Sequence, residues 1–492
     1  MPATPSAARP FVWGAATSSA QIEGDRAGRG DSIWDMLAAQ PGRILDGSDL
    51  DVACDHVHRH TEDVGLLADL GVDAYRFSIA WPRVLPDGTG RVSAQGLDFY
   101  DRLVDTLAER GIEPWVTLYH WDLPLALHER GGWPNRDVVS WFVEYTEAVH
   151  ARLGDRVTHW GTLNEPWCSA WLGYGSGEHA PGERNHERAW PAMHHLLLAH
   201  GTAVSRLREL SGGSADVGIV LNLFGVHPVD DASPAVKQAV EHVDVMQNRV
   251  WLDALLRSQY GDAALELAPA SFEDVVHDGD LQVIGAPLDW LGVNYYADLT
   301  FEAKHSGADE RDPEVHREPR DATAAHDLEQ DIDTEGALSR EAHTAGAYPG
   351  ADAVTASDPG PEGTTMRWPV TPSGLTGTLQ RITREWPAPP LVVTENGAAF
   401  VDDVVVTADG VAIDDPRRAH YLVEHVAAVQ AASAAGVDVR GYFAWSLLDN
   451  FEWAWGYTQA FGIVHVDRQT QVRTPKASFA TYARLVQAAR GA

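Results

Sequence analysis

Eight short apolar runs, each followed by a longer stretch of helical period, constrain this chain more than any other feature. The runs cover residues 11–17, 74–81, 113–120, 157–165, 217–223, 290–296, 391–395 and 440–447. Buried parallel strands carry such runs, and alternation with helices is the sequence sign of βαβ units. Between the second and third runs, Leu97, Tyr100, Leu103, Val104 and Leu107 recur at helical spacing before Gly111. Val64, Leu67 and Leu70, ending at Gly71, do the same before the second run. Eight units predict an α/β fold, a (β/α)8 barrel with its active site at the C-terminal ends of the strands. One barrel with long loops accounts for all 492 residues, which predicts a single catalytic domain.

The rhythm breaks from 302 to 365, a stretch rich in Asp, Glu, His, Ala, Gly and Pro with little apolar periodicity. It reads as an acidic surface loop, partly disordered, inserted after the sixth strand. Its histidines, His305, His316, His326 and His343, match no compact ligand spacing, so neither a metal nor another cofactor is expected.

Charge narrows the partners. Acidic residues outnumber basic ones 71 to 37, a formal net charge of −34. Such a surface repels phosphate backbones and anionic lipid, which disfavours nucleic acid and membranes as partners, and it leaves homo-oligomerisation open. No run approaches transmembrane length, and residues 1–10 lack the apolar core of a secretory signal. With Cys54 and Cys168 read as two free thiols, a cytoplasmic location is expected.

The strand ends carry the chemistry. The fourth run closes Thr162-Leu163-Asn164-Glu165-Pro166 and the seventh Thr394-Glu395-Asn396-Gly397. The third closes Tyr119-His120-Trp121-Asp122, and the sixth Asn294-Tyr295-Tyr296. The eighth runs from Trp445 through Asp449 and Asn450 to Glu452 and Trp453. In a barrel these positions converge on one pocket, with two glutamates facing each other across it. Glycoside hydrolysis needs such a pair: one carboxylic acid protonates the leaving oxygen, and an ionised partner attends the anomeric carbon. A separation of about 5–5.5 Å means retention and about 6.5–9.5 Å inversion, a distance that sequence leaves open.

These motifs resemble family 1 of the glycoside hydrolases, the β-glucosidase family, and the likeness spans nearly the whole chain. It is carried by Asn164-Glu165-Pro166, by Thr394-Glu395-Asn396-Gly397, by the opening from Phe11 to Gly24, by Tyr75 to Arg83, by Asn294-Tyr295-Tyr296 and by Phe461 to Asp467. The resemblance implies a retaining β-glucosidase that acts on terminal non-reducing β-D-glucosyl residues, including those of short cellulose fragments. It implies Glu165 as acid/base and Glu395 as nucleophile, with Arg76 and Tyr296 holding the nucleophile. Gln21, His120, Trp121, Asn164, Asn294, Glu452 and Trp453 would bind the sugar, Trp445 would form its apolar floor, and Trp167 and Trp368 would face the leaving group. Trp13, Trp81 and Trp115 read instead as core.

The chain departs from the family pattern on the leaving-group side. Arg367 precedes Trp368 where the family commonly has Gly, and Ser373 stands in Pro372-Ser373-Gly374-Leu375 where it has Glu. Aglycone preference is therefore left open. A thioglucosidase would replace the acid with Gln, and a 6-phospho-β-glycosidase would not place Glu452 and Trp453 at the 6-position. A β-galactosidase or β-fucosidase of the same family is the nearest alternative. A catalytically silent sugar-binding barrel is a further one, disfavoured by the presence of both glutamates.

Overall fold

The computed structural model describes residues 11–304, 340–407 and 410–491. Eight parallel strands close on themselves: β1 (Val12–Ala16), β2 (Ala74–Ser78), β3 (Glu113–Tyr119), β4 (His159–Asn164), β5 (Asp216–Asn222), β6 (Trp290–Asn294), β7 (Leu391–Asn396) and β8 (Val439–Trp445). Each pairs with its neighbours in chain order, and β8 returns to β1 through Val12↔Gly441 to Ala16↔Trp445. All eight predicted runs contain their strands, apart from one-residue overhangs at Asp216, Asn396 and Val439.

The predicted helices form for the reasons their sequences give. Leu97, Tyr100, Leu103, Val104 and Leu107 are all buried on one face of the helix Ala94–Glu109, whose start is capped by the Ser93 hydroxyl accepting from the Gly96 amide at 3.1 Å. The helix His56–Leu70 stops at Gly71, which takes the left-handed conformation (φ 71°) that ends helices without steric cost.

Packing divides into two cores. One lies between the barrel and its helices and holds Trp13 and Trp81, the latter stacked on Tyr145 at 4.9 Å. The other fills the barrel's interior. There Trp115 meets Trp290 and Phe443 at 5.3 and 5.2 Å between ring centroids, in contact with a cluster that includes Val220, Val392 and Trp445. All three tryptophans assigned to packing are thus in the core, and the inner cluster leads upward to Tyr296 and Trp368 at the mouth.

Within the segment from 302 to 365, the described residues are not all loop. Residues 305–339, with His305, His316 and His326, lie outside the described residues. The remainder contains a helix, Arg340–Ala347, and a strand, Val354–Ala356, that pairs antiparallel with Leu299–Ala303. Ala347, Tyr348, Ala351 and Val354 are buried. Four apolar residues scattered through a polar stretch show no periodicity of their own, but tertiary contacts supply the surface they pack against.

Register breaks where the two signature glutamates stand. β7 shifts against both its neighbours between Leu391 and Asn396, and β4 shifts against β5 between Gly161 and Asn164. Such irregularities turn side chains out of the regular alternation. Gly397 completes the turn at β7 because the chain passes against β8 there: a Cβ at that position would lie 1.7 Å from the Trp445 carbonyl oxygen. Backbone cannot yield as a flexible side chain would. Gly397→Ala is therefore expected to cost about 1–3 kcal/mol and to move Glu395, lowering the urea midpoint and turnover together. A variant with the parent's midpoint and rate would show that the strands separate freely.

Candidate active site

The barrel delivers its chemistry at the C-terminal ends of the strands. Arg76 on β2 enters the interior almost fully buried, 2% exposed, and acts as a hub. Its Nη1 donates to Glu395 Oε1 at 2.6 Å and its Nη2 to Asn164 Oδ1 at 2.6 Å. One guanidinium thus ties together β2, β4 and β7. The Tyr296 hydroxyl donates to the other oxygen of Glu395 at 2.5 Å. Asn294, paired in register with Glu395 across β6 and β7, donates through Nδ2 to Glu165 Oε1 at 2.6 Å and to Asn164 Oδ1 at 3.1 Å. Its own carbonyl accepts from Thr394 Oγ1 at 2.8 Å, which sets the amide's orientation.

The two glutamates therefore sit in one hydrogen-bonded cluster with different partners. Glu395 receives a cation and a phenol; Glu165 receives an amide and, at Oε2, the Cys168 thiol at 3.1 Å. Burial lifts both carboxyls above their ordinary range, and on Glu395 the charge of Arg76 and the Tyr296 bond act against it. Glu165 is pushed to about 7 by burial and by the negative charge of Glu395. Unequal partners thus set two like residues apart: Glu165 is raised to about 7, while Glu395 is held against a cation.

The predicted sugar-binding residues gather around this pair. His120, at the end of β3, accepts at Nε2 from Asn164 Nδ2 at 3.1 Å when neutral, and burial together with Arg76 holds its pKa well below the usual imidazole value. Its proton then sits on Nδ1, which has no protein partner among the described residues. The His120 ring lies nearly parallel to Trp445 (5.8 Å, 15°) and Trp453 (5.9 Å, 18°). Trp121 donates from its indole to the Asn164 carbonyl at 2.8 Å and packs on Trp453 at 4.5 Å. Trp368 is partly exposed beside Tyr296 at 5.4 Å, whereas Trp167 is buried and stacked on Tyr348 at 5.2 Å.

Two predicted residues differ in detail from expectation. Gln21 spends its amide within the protein, donating to Asn450 Oδ1 at 2.9 Å and the Phe451 carbonyl at 2.8 Å, and reaching Glu452 Oε2 at 3.5 Å. It anchors the loop that carries Glu452. Glu452, named as an acidic sugar ligand, is pushed to about 8 by burial and the charges of Glu395 and Glu165, so at neutral pH it is mostly protonated and can donate as well as accept.

Sequence reasoning missed other parts. Asn222 ends β5 and was not named, although the strand-end rule points to it. Cys168 was read only as a free thiol, and nothing in its spacing announced its bond to Glu165. Trp34 and His179 back Trp453 at 4.7 and 6.3 Å from distant segments, with no sequence signal. Asp402, Asp449 and His465 come close enough to suggest a metal. Lys476 already donates to Asp402 at 2.5 Å and to Asp449 at 2.8 Å, and Arg418 to Asp402 at 2.7 Å, so that charge is neutralised by protein.

A closed parallel barrel whose strand ends present two unequally partnered glutamates, framed by amides and aromatic rings, is the arrangement of a glycoside-hydrolysing enzyme. The family model for glycosyl hydrolase family 1 matches residues 6–490, and the chain belongs to that family. It is 43% identical over 479 residues to the thermostable β-glucosidase B of Thermobispora bispora, covering 97% of this chain and 90% of that one. Identity is also 43% over 484 residues to the bifunctional β-D-glucosidase/β-D-fucosidase of Bifidobacterium breve, covering 97% of each. The crystal structure of the psychrophilic β-glucosidase of Micrococcus antarcticus superposes with a TM-score of 0.87 at 46% identity, covering 98% of both chains.

The raised carboxyls carry a stability signature. Glu165 and Glu452 keep their protons in the folded state to about pH 7 and 8, whereas the unfolded chain releases them near the ordinary value of 4.5. The native state then binds more protons over that window, so their contribution is fully present below about pH 4.5 and is lost as pH rises toward 8. Glu452→Gln removes one of these groups. It is expected to unfold near the parent's urea midpoint at pH 4.5 and to be more stable than the parent at pH 8, by on the order of 4 kcal/mol. A difference that did not grow with pH would show that Glu452 ionises freely in the fold.

Proposed function

We propose that this chain is a retaining β-glucosidase in which Glu165 is the acid/base and Glu395 the nucleophile, the whole chain serving as one catalytic domain. The observation that carries the assignment is the difference in partners: Arg76 and Tyr296 hold Glu395, while neutral donors and burial leave Glu165 at about 7. In the first step Glu165 gives its proton to the departing glycosidic oxygen as Glu395 Oε attacks the anomeric carbon, forming a covalent glycosyl-enzyme. In the second step Glu165, now ionised, takes a proton from water, which displaces Glu395 and returns it as carboxylate. Two inversions restore the β-configuration.

The same reading assigns the sugar pocket. His120 Nδ1–H and the Asn164 amide offer donors to the ring hydroxyls, Trp445 supplies the apolar face, and Glu452 with Trp453 meets the 4- and 6-positions. Trp167 and Trp368 flank the leaving group, and the substrates include β-glucosides and the short oligosaccharides of cellulose breakdown. The buried free thiols Cys54 and Cys168 support a reducing, cytoplasmic location. No helix among the described residues is long and apolar enough to cross a membrane.

A second reading, β-fucosidase activity alongside glucosidase, is favoured by the likeness to the bifunctional Bifidobacterium breve enzyme. The ratio of kcat/KM for 4-nitrophenyl β-D-glucoside, galactoside, fucoside and xyloside, with cellobiose alongside, ranks these sugars. The glucoside is expected to lead the galactoside and xyloside.

The roles of the glutamates are tested by chemical rescue. Glu395→Gly should lose ordinary turnover and, with azide, yield the α-glycosyl azide, because the anion enters from the vacated face. Glu165→Ala should still be glycosylated by 2,4-dinitrophenyl glucoside and yield the β-azide. The same azide anomer from both variants would refute the assignment. The kcat/KM profile of the unmodified enzyme should be bell-shaped, with its alkaline limb near pH 7 set by Glu165 and absent in Glu165→Gln on an activated substrate.

A further inference from the structure

The carboxyl at Glu165 is held from behind by a residue that the reaction as written does not use. Cys168 opens the wide, π-type helical segment Cys168–Gly175 that follows β4, and its amide donates to the Glu165 carbonyl at 2.9 Å. That turn brings the thiol to 3.1 Å from Glu165 Oε2. The side chain is buried, and burial together with the charge of Glu165 drives the thiol far above its ordinary pKa, so the sulfur keeps its hydrogen. Asn222, at the end of β5, approaches the same sulfur through Nδ2 at 3.8 Å. The amide occupies the acceptor side of the sulfur and leaves the S–H to point at the carboxylate.

The arrangement is buttressed from a distance. The Asn222 carbonyl accepts from Gln247 Nε2 at 2.7 Å, and Gln247 Oε1 accepts from the Tyr348 hydroxyl at 2.8 Å. Tyr348 stacks on Trp167, two residues past Glu165, at 5.2 Å and 27°. The chain of contacts therefore runs from the segment beyond 340 to the acid/base and back to its sequence neighbour.

We propose that Cys168 is a positioning residue for the acid/base: its thiol, oriented by Asn222, donates to Oε2 of Glu165 and sets both the aim and the acidity of that carboxyl. Asn294 fixes the other oxygen, so the two donors together define the plane from which the proton leaves. A donor to the ionised form stabilises it, so the thiol lowers a pKa that burial and Glu395 raise. The other groups that act on Glu165 are Arg76 from β2, Tyr296 beyond β6 and Glu452 beyond β8; Glu178 acts on the thiol from the far side. Removing the Cys168 thiol changes no formal charge, because the thiol is protonated. The inference rests on the reading of Glu165 as acid/base.

The test is the pH dependence of kcat/KM for 4-nitrophenyl β-D-glucoside and cellobiose in Cys168→Ala, Cys168→Val and Cys168→Ser. Without a donor, the alanine and valine variants should shift the alkaline limb upward by about half a unit or more, while serine, which keeps a donor, should hold it near the parent position. Valine fills the space of the thiol, so its result stands even where the alanine cavity weakens the fold. A limb that stays at the parent position in both alanine and valine variants would overturn the proposal, whatever happens to their melting temperatures. Equal upward shifts in serine and valine would overturn it as well, because a packing effect would then be responsible. Glu165→Gln separates this outcome from a failure of the underlying assignment. An alkaline limb that survives in Glu165→Gln defeats the acid/base reading, whereas one that vanishes there but ignores Cys168→Val defeats only the role of the thiol.

Discussion

The buried ion pair between Arg76 and Glu395 is the interaction on which the rest of the site depends. Both side chains are almost wholly out of water, 2% and 3% exposed, and the separation of 2.6 Å lets the guanidinium neutralise the carboxylate inside the barrel. A charge desolvated to this degree is tolerable only when paired, and removing one partner from such a pair typically costs about 3–5 kcal/mol. Because the same guanidinium also holds Asn164, the pairing fixes the relative heights of β2, β4 and β7. The contacts of Asn294 and Asn164 with Glu165 and His120 follow from that frame. Stability and the arrangement of the site therefore share a single cation, and the orientation of Glu395 is part of the barrel's closure.

Much of this was legible in the sequence, for reasons that differ from residue to residue. The strands were legible because parallel barrel strands are buried on both faces and read as continuous apolar runs, so Phe77 and Leu118 announce themselves regardless of context. Glu165 and Glu395 were legible as a pair: one carboxylate at a strand end is more often structural, but two of them, each beside an amide on opposite sides of one ring, are what glycoside hydrolysis requires. Trp115 was assigned to packing, and the barrel interior is where it lies. What could not be read was anything that depends on depth or on pairing over long range. Glu452 gave no sign of its raised pKa, because that follows from its burial and from two other carboxyls brought near by β4 and β7. The helix Arg340–Ala347 looked like loop, because its packing partners lie on the segment after Glu165: His343 pairs with Glu178 at 2.5 Å across 165 positions. Gln21 was named for the pocket, whereas its contacts with Asn450 and Phe451 are set by a loop 430 residues away.

Backbone strain gathers in the same place as charge. Nine described non-glycine residues take positive φ, and Trp121, Glu165 and Trp453 are three of them, with Arg367 a fourth beside Trp368. A left-handed conformation at a bulky residue persists only where the surroundings over-determine it. Each of these residues is pinned or packed by a separate part of the structure: Glu165 by its amide's bond to Val220 and by Asn294, Trp121 by its indole bond to Asn164, and Trp453 by the rings of Trp34, Trp121 and His120. Strain in the backbone and the burial of Glu165 and Glu452, which must keep protons that the unfolded chain releases, both make the mouth of the barrel less stable at neutral pH than a relaxed, apolar one would be. The compensating energy comes from below, where Trp115, Trp290 and Phe443 fill the interior and the strands close without a free edge. The lower barrel holds the geometry, so the upper rim can keep a strained Glu165 with its carboxyl raised to about 7 beside a Glu395 paired with Arg76.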